Sequence, residues 1–197
     1  MNPWSSIALF SLAFASSSCA RQNAEPQAML LGQRIVSRPS SIAFVSSDRV
    51  AAGLAGEIRF GGPLGRSALY LKFQSEPRTG GLPQKAFLTL AAREGGASSD
   101  GPLTLEAWRI SADWQPHALE HWCQKPSLAP PYSRLRVTPS PTREARIDVT
   151  ELVRYAARHP ERDFGIAVIA SGSEGPSATF SSGFAGGQAP LLELYLP

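Results

Sequence analysis

Cysteine and lysine are both scarce in this chain of 197 residues, and each scarcity excludes a class of protein. The two cysteines are Cys19 and Cys123. If Cys19 is cleaved off or acylated, Cys123 has no partner, which excludes a disulfide scaffold and leaves stability to a hydrophobic core. Only three of the 19 Lys and Arg residues are lysine, the net charge is +3, and no dense basic run occurs. This pattern excludes a nucleic-acid-binding arm, so we expect no nucleic-acid partner.

Long apolar runs are also missing. The apolar run at residues 7–15 lies in an uncharged N-terminal segment and is too short to span a bilayer as a helix. Its length is typical of the hydrophobic part of a signal peptide, and the small residues SSSCA follow it. We therefore predict a signal peptide at residues 1–19 and export, either by secretion or to a bacterial cell envelope.

Cys19 follows three serines and leaves two alternatives open. It is either the acylated cysteine of a lipoprotein-type signal, or part of the signal of a plainly secreted protein. A single acyl chain would give only weak membrane attachment. Residues 20–40 are polar and mixed, which predicts a tether, and residues 41–197 are predicted to form one domain.

Familiar catalytic and metal-binding motifs are absent as well. The sequence contains no GxSxG elbow, no P-loop and no GxGxxG after a strand, so we predict no enzyme and no cofactor. His117 and His121 lie four residues apart with Cys123 nearby, which is a metal-ligand spacing on a helix. Pro116 disfavours a long helix there, and the motif is not HExxH. We predict no metal site.

Short apolar runs separated by Gly, Pro, Ser and Asp fill the domain. Nine of these runs are predicted to be strands: 42–45, 57–60, 68–73, 86–93, 103–110, 145–149, 165–170, 178–181 and 191–196. No helical pattern of comparable length lies between them, which favours an all-β antiparallel β-sandwich. One short helix is predicted near residues 150–159, with Thr150 as its cap and Pro160 as its end.

Several of these segments, in their order, resemble the DNRLRE-type domain, grouped with carbohydrate-binding module family 96. The resemblance covers about residues 42–196. Its motifs are ALYLKF at 68–73 after a loop ending in Arg66, RISADW at 109–114, HWCQKP at 121–126, IDVTELV at 147–153, FGIAVIA at 164–170, TFSS at 179–182, and LLELYL at 191–196 after Pro190. The resemblance implies a jelly-roll-like, non-catalytic β-sandwich, often exported, with members that bind alginate or related acidic polysaccharide.

Strand alternation predicts where such a ligand would bind. In the strand at 68–73, Tyr70 and Lys72 point away from the apolar side chains, and Arg66 shares their face. Arg59 points away from the apolar side chains of its own strand, and the loop at 61–65 has the length of a hairpin connection. The prediction is one sheet face carrying two guanidiniums, one ammonium and one ring. Guanidinium forks match the carboxylates of uronic acids, which favours this face as a binding site for them. The alternative is that the face is an ordinary solvated surface of the sheet.

Tryptophans and a second basic cluster complete the candidates. Trp108 is the tryptophan expected to be most exposed, and we include it among the ligand-binding residues. Trp114 and Trp122 are expected to pin a loop over the core. Tyr132 lies beside Arg134 and Arg136 in a Pro-rich segment, 126–141, that is predicted to be a loop.

The sequence therefore predicts an exported, monomeric, non-catalytic module that binds acidic polysaccharide such as alginate. Its predicted ligand-binding residues are Arg59, Arg66, Tyr70, Lys72 and Trp108. The alternative is a structural or adhesive module of the cell envelope that has the same fold and no sugar site.

Overall fold

The computed structural model describes residues 33–47, 56–61, 66–74, 81–93, 101–119, 124–137, 144–171, 176–184 and 187–197. Within these ranges the chain forms eleven strands and one α-helix. The strands are β1 Arg34–Ser37, β2 Pro39–Ser46, β3 Glu57–Gly61, β4 Ser67–Phe73, β5 Lys85–Leu90, β6 Leu103–Ile110, β7 Leu128–Val137, β8 Ala145–Asp148, β9 Ile166–Ser171, β10 Ser177–Ser181 and β11 Leu191–Tyr195. The helix is α1 Thr150–Arg158, and short 3₁₀ turns lie at Pro116–Ala118 and Pro160–Arg162.

The strands form two layers in which the paired strands are antiparallel. The first sheet has the order β2-β4-β9-β6-β7, and the second has the order β1-β11-β5-β8. The pair β10-β3 extends the second layer, because the Ser181 N–H donates to the Ala91 carbonyl at 2.9 Å and the Arg93 N–H to that of Thr179 at 3.2 Å. Most connections pass from one layer to the other, as in a jelly roll. The predicted all-β antiparallel sandwich is confirmed.

The main hydrophobic core lies between the two layers. Alternate residues of facing strands point into it, among them Ile58, Phe60, Leu69, Leu71 and Leu105, and none of these five exposes any surface. The Phe60 ring stands at the centre of an aromatic group, 6.1 Å from the ring centroid of Phe44 and 6.0 Å from that of Phe180. Edge-to-face ring packing of this kind adds to the stabilisation from burial.

Each of the nine predicted strands overlaps a strand of the structure, and two strands were missed. One is β1, which pairs with β11 from Arg34 opposite Tyr195 to Ser37 opposite Leu192. Residues 34–37 and 39–40 therefore lie in strands, and the prediction of a tether reaching residue 40 is wrong for them. The sequence RIVSRPS is too short and polar to show the pattern locally. Residues 1–32, with the predicted signal peptide and Cys19, lie outside the described residues.

The other missed strand is β7, which was predicted to be part of a Pro-rich loop. It is the edge strand of the first sheet and the longest strand in the described ranges. Pro130 and Pro131, joined by a cis peptide bond, lie where the pairing with β6 shifts register between Trp108 and Arg109. A proline is tolerated at an edge or a bulge because no neighbouring strand needs its missing N–H there. From Tyr132 to Val137 the regular pairing continues.

The predicted helix near 150–159 is confirmed as Thr150–Arg158. Its N-cap residue is Val149, and the prediction of Thr150 as the cap is wrong. Thr150 is the first helical residue, and its N–H donates to Asp148 Oδ1 at 3.0 Å. Its hydroxyl accepts the Ala86 N–H of β5 at 3.0 Å, which ties the helix to the second sheet. Leu152 and Val153 join the main core. In the described ranges, no helix has both the length and the apolar character needed to cross a membrane.

Replacing Phe60 by Ala tests whether the layers close over this core. We expect the free energy of unfolding to fall by about 3–5 kcal/mol, because the change leaves a cavity in place of a ring that exposes no surface. Urea unfolding followed by circular dichroism measures the loss. Phe184, which is 63% exposed, is the matched control, and its change to Ala should alter stability by less than about 0.5 kcal/mol. Equal losses in both variants would contradict the assigned core.

Candidate functional site

The structure does not bring the predicted ligand-binding residues onto one face. β3 pairs with β10, whereas β4 pairs with β2 and β9, so the predicted hairpin between β3 and β4 is wrong. Arg59 points outward from the second layer, opposite Thr179. Tyr70 and Lys72 point outward from the first sheet, on the other side of the molecule. Arg66 is exposed just before β4 and exchanges hydrogen bonds with Ser47, at the end of β2. The predicted shared docking face does not form.

Tyr70 is buried although it lies on an outer face, so the prediction of an exposed ring is wrong. A second apolar cluster covers that part of the first sheet, and Tyr70, Trp114 and Leu119 are members of it. The Tyr70 and Trp114 rings lie 5.8 Å apart at 53°. Burial raises the pKa of the Tyr70 hydroxyl far above its ordinary value. That hydroxyl has no hydrogen-bond partner within the described ranges.

Lys72 anchors the segment that covers Tyr70. Its ammonium donates to Asp113 Oδ1 at 2.7 Å and to the Trp114 carbonyl at 3.1 Å. The Trp114 indole N–H donates to the Phe164 carbonyl at 2.8 Å. The hydrogen bond from Lys72, the Trp114 N–H and the charge of Lys72 together lower the pKa of Asp113. The prediction that Trp114 pins a loop is confirmed, and Trp122 lies outside the described residues.

Trp108 lies in a different group, which we call the β6–β7 platform: Glu106, Trp108, Tyr132, Arg134 and Arg136. These residues share the outer face of the first sheet because Leu105 and Ala107, between them on β6, point into the core. The pairing of β6 with β7 sets Trp108 opposite Tyr132 and Glu106 opposite Arg134. The two rings are stacked, with centroids 4.1 Å apart and planes 11° from parallel.

A buried carboxylate orders the platform. The Glu106 side chain is only 7% exposed, and Arg134 Nε donates to its Oε1 at 2.6 Å. The Trp108 indole N–H donates to Oε2 at 2.9 Å. The hydrogen bond to Glu106, followed by its charge, raises the pKa of Arg134. The Arg134 guanidinium also lies 5.2 Å from the Tyr132 ring centroid. One carboxylate therefore fixes both the indole and the guanidinium fork.

The outer parts of the platform remain open to solvent. The Arg134 side chain is 61% exposed and Tyr132 is 43% exposed. Arg136, exposed two residues further along β7, has no ion pair with an acidic group of the described segments. The platform therefore offers a partly exposed aromatic side chain and two cations side by side on one strand. Such a surface suits a ligand that carries both flat apolar faces and negative charge.

Sequence reasoning found most of these residues without finding their connection. Trp108 is half-buried, in keeping with its predicted place on the surface. Tyr132, Arg134 and Arg136 were recognised as a cluster but assigned to a loop. Glu106 was missed, and the available signal was its position two residues before Trp108 on a strand, which places both on one face.

No metal site is evident in the part of the chain that the structure describes. The described residues contain no group of three or more His, Cys, Asp or Glu side chains able to hold a metal ion. His117 lies exposed on the 3₁₀ turn at Pro116–Ala118. The other two residues considered as ligands, His121 and Cys123, lie outside the described residues.

Comparison with known proteins assigns neither a family nor a function to the chain. No protein-family model matches the chain, and no curated protein is found to be similar to it. The resemblance to the DNRLRE-type domain therefore stays a prediction that depends on the motifs quoted above.

The lone hydroxyl of Tyr70 gives a stability test. We expect Tyr70→Phe to raise the free energy of unfolding by about 1 kcal/mol, because a buried polar group without a partner is costly. Tyr195→Phe is the matched control, since it removes a hydroxyl that donates to Glu193 Oε2 at 3.0 Å, and it should lower stability by about 1 kcal/mol. Chemical unfolding measures both. A loss of stability in Tyr70→Phe would mean that this hydroxyl does have a partner.

The link between Lys72 and Asp113 gives a pH test. The pKa of Asp113 is lowered in the folded protein, so its stabilising effect is present above the unfolded pKa of about 3.9 and is lost as the pH falls through the folded value. In Lys72→Met the titration midpoint of Asp113, followed by NMR of its carboxyl carbon, should move up. Lys85→Met, which removes the partner of Asp148, should leave it unchanged. An unmoved midpoint in Lys72→Met would contradict the contact.

Proposed function

We propose that the protein is an exported, non-catalytic carbohydrate-binding module that binds an acidic polysaccharide, such as alginate, on the β6–β7 platform. The observation that carries the proposal is the stacked, partly exposed pair of Trp108 and Tyr132 directly beside Arg134 and Arg136. The site differs from the one expected from sequence, and the ligand class is the same.

The chemistry of a uronic acid polymer matches these groups. Each sugar has a flat face of C–H groups that can lie against an aromatic ring, and each carries a carboxylate. A guanidinium presents a planar fork that matches a carboxylate with two parallel hydrogen bonds. Because an exposed ion pair contributes only about 0–1 kcal/mol, a useful site needs several such contacts in a row. Tyr132, Arg134 and Arg136 alternate along one strand and supply that row.

Binding is favoured over catalysis by the state of the platform's own carboxylate. Both oxygens of Glu106 already accept hydrogen bonds, one from Arg134 and one from Trp108. A carboxylate held in this way positions its neighbours and is poorly placed to transfer a proton to a ligand. The proposed setting, secreted or in the cell envelope with possible lipid attachment at Cys19, depends on residues 1–19 alone.

The second candidate is a structural or adhesive module without a sugar site. It is favoured by the exposure of two large apolar side chains, Leu82 at 41% and Phe184 at 63%. Apolar groups presented in this way can contact a partner protein. The experiment below separates the two candidates, because the adhesive module has no reason to bind any polysaccharide.

Affinity electrophoresis in gels containing alginate, pectate or a neutral glucan tests the proposal. The protein should be retarded by the two acidic polymers and by neither the plain gel nor the glucan. Tyr132→Ala should weaken retardation about five- to tenfold, because a ring contact contributes roughly 1 kcal/mol. Arg136→Glu should abolish most of it, and added salt should weaken it by screening exposed charges.

Arg66→Glu is the matched control for Arg136→Glu, since both change the charge of one exposed arginine on the same sheet by the same amount. It should leave retardation unchanged, because Arg66 lies at the β2–β4 end, away from the platform. Equal mobility of the wild-type protein in every gel would remove the carbohydrate proposal. If Arg66→Glu alone loses its retardation, the binding site lies near Arg66, as the sequence predicts, and not on the β6–β7 platform.

A further inference from the structure

The outer face of the second sheet carries another group of charged and aromatic residues, which we call the β11 cluster: Arg34, Phe87, Arg146, Glu193 and Tyr195. Glu193 points outward because Leu192 and Leu194, its neighbours on β11, lie in the main core. Its carboxylate is only 12% exposed and accepts three hydrogen bonds. They come from Arg34 at 3.1 Å, Arg146 at 3.1 Å and the Tyr195 hydroxyl at 3.0 Å.

Aromatic rings support the arginine on β8. The Arg146 guanidinium lies 3.8 Å from the Phe87 ring centroid, and Phe87 packs edge-to-face against Tyr195 with centroids 6.0 Å apart. Burial alone would raise the pKa of Glu193, but its hydrogen bonds and the charges of the two arginines outweigh burial and lower that pKa. Two fixed cations therefore surround one ionised carboxylate, and the cluster retains an excess of one positive charge.

Both guanidiniums keep donors available to a ligand. Arg34 and Arg146 use only Nη2 in the hydrogen bonds that the described residues receive from them, and their side chains are 57% and 41% exposed. An arginine has five N–H donors in a rigid fork. Because both side chains are partly exposed, a carboxylate in solution can reach their remaining donors.

The β11 cluster repeats the construction of the β6–β7 platform. In each, a mostly buried glutamate on a central strand holds arginine forks beside aromatic rings, Glu106 in one case and Glu193 in the other. The two groups lie on opposite sides of the molecule, because each occupies the outer face of a different layer. Because the two outer faces point in opposite directions, with sheets about 10 Å apart between them, a straight ligand segment on one face does not contact the other.

We propose that the β11 cluster is a second binding site for a carboxylate-bearing polymer, and that the module is bivalent. The inference rests on the proposed function and extends it: one protein holds two separate polysaccharide chains and bridges them. Bridging raises overall avidity on a polymer network without any further contact. The simpler interpretation is that the network only braces the sheet, since Arg34, Glu193 and Arg146 connect β1, β11 and β8 across β5.

Stoichiometry and bridging test the proposal together. Calorimetric titration with a short alginate oligosaccharide should give two sites per protein in the wild type, and one in either Arg34→Glu or Arg136→Glu. With long-chain alginate, light scattering should rise with wild-type protein through cross-linking. Each single variant should lose that rise. Arg34→Glu should remain retarded in alginate gels through the β6–β7 platform, and Arg136→Glu should keep only the small residual retardation that the β11 cluster provides. Arg66→Glu is again the control and should keep both sites.

Glu193→Gln separates a binding site from a brace. In the Arg136→Glu background, where only the β11 cluster remains, this change releases both forks and removes the competing carboxylate. Retardation should then strengthen about two- to fivefold, because each exposed ion pair contributes a fraction of a kcal/mol. A brace predicts lower stability and no binding in that background. Circular dichroism and thermal unfolding show whether each variant is folded. Arg146→Lys, which keeps the charge and loses the fork, replaces Arg34→Glu if that variant does not fold.

The outcomes distinguish this inference from the proposed function. One site per wild-type protein, abolished by Arg136→Glu and untouched by Arg34→Glu, overturns the second site and leaves the β6–β7 platform in place. No binding to any acidic polymer overturns both. Scattering that rises equally with Arg34→Glu and wild type also overturns the bivalent module.

Discussion

Burial of alternate side chains between the two layers is the constraint on which the rest of this structure depends. Once Leu105 and Leu192 are committed to the shared interior, Glu106 and Glu193 must point outward, and they must point to opposite sides. A change of register by one residue would exchange the two sets on every strand. The pattern of burial in the hydrophobic core therefore determines which polar groups are neighbours, whatever interactions those groups then make.

Polar and aromatic side chains that point outward from the strands are found in three different environments in this fold. Tyr70 is sealed under the segment that carries Trp114. Lys72 is used to hold that segment in place. On the β6–β7 platform and on the β11 cluster, by contrast, cations and rings lie together and the arginine side chains are partly exposed. Outward direction on a strand is thus a necessary condition for a binding residue and not a sufficient one.

Local pattern was enough to predict nine of the eleven strands described, the helix α1 and the sandwich, since each depends on alternation or turn chemistry within a few residues. It was not enough to predict which strands pair. The Gly-rich loop after Phe60 looks like a hairpin, whereas β3 pairs with β10, whose residues come more than a hundred positions later. The same limit explains the platform: Trp108 and Tyr132 were both noticed, but only the pairing of β6 with β7 makes them neighbours. Pro130 and Pro131 hid that pairing, because prolines ordinarily argue against a strand.

The sealed half of the first sheet has a consequence for the shape of any ligand held there. With Trp114 and its segment covering β2 and β4, the accessible strip runs lengthwise along β7. Alternate residues on a strand are spaced by about 6.6 Å, so Tyr132 and Arg136 mark a footprint about 13 Å long. A strip of that outline suits a linear ligand that lies parallel to β7 and is contacted at every second residue of the strand.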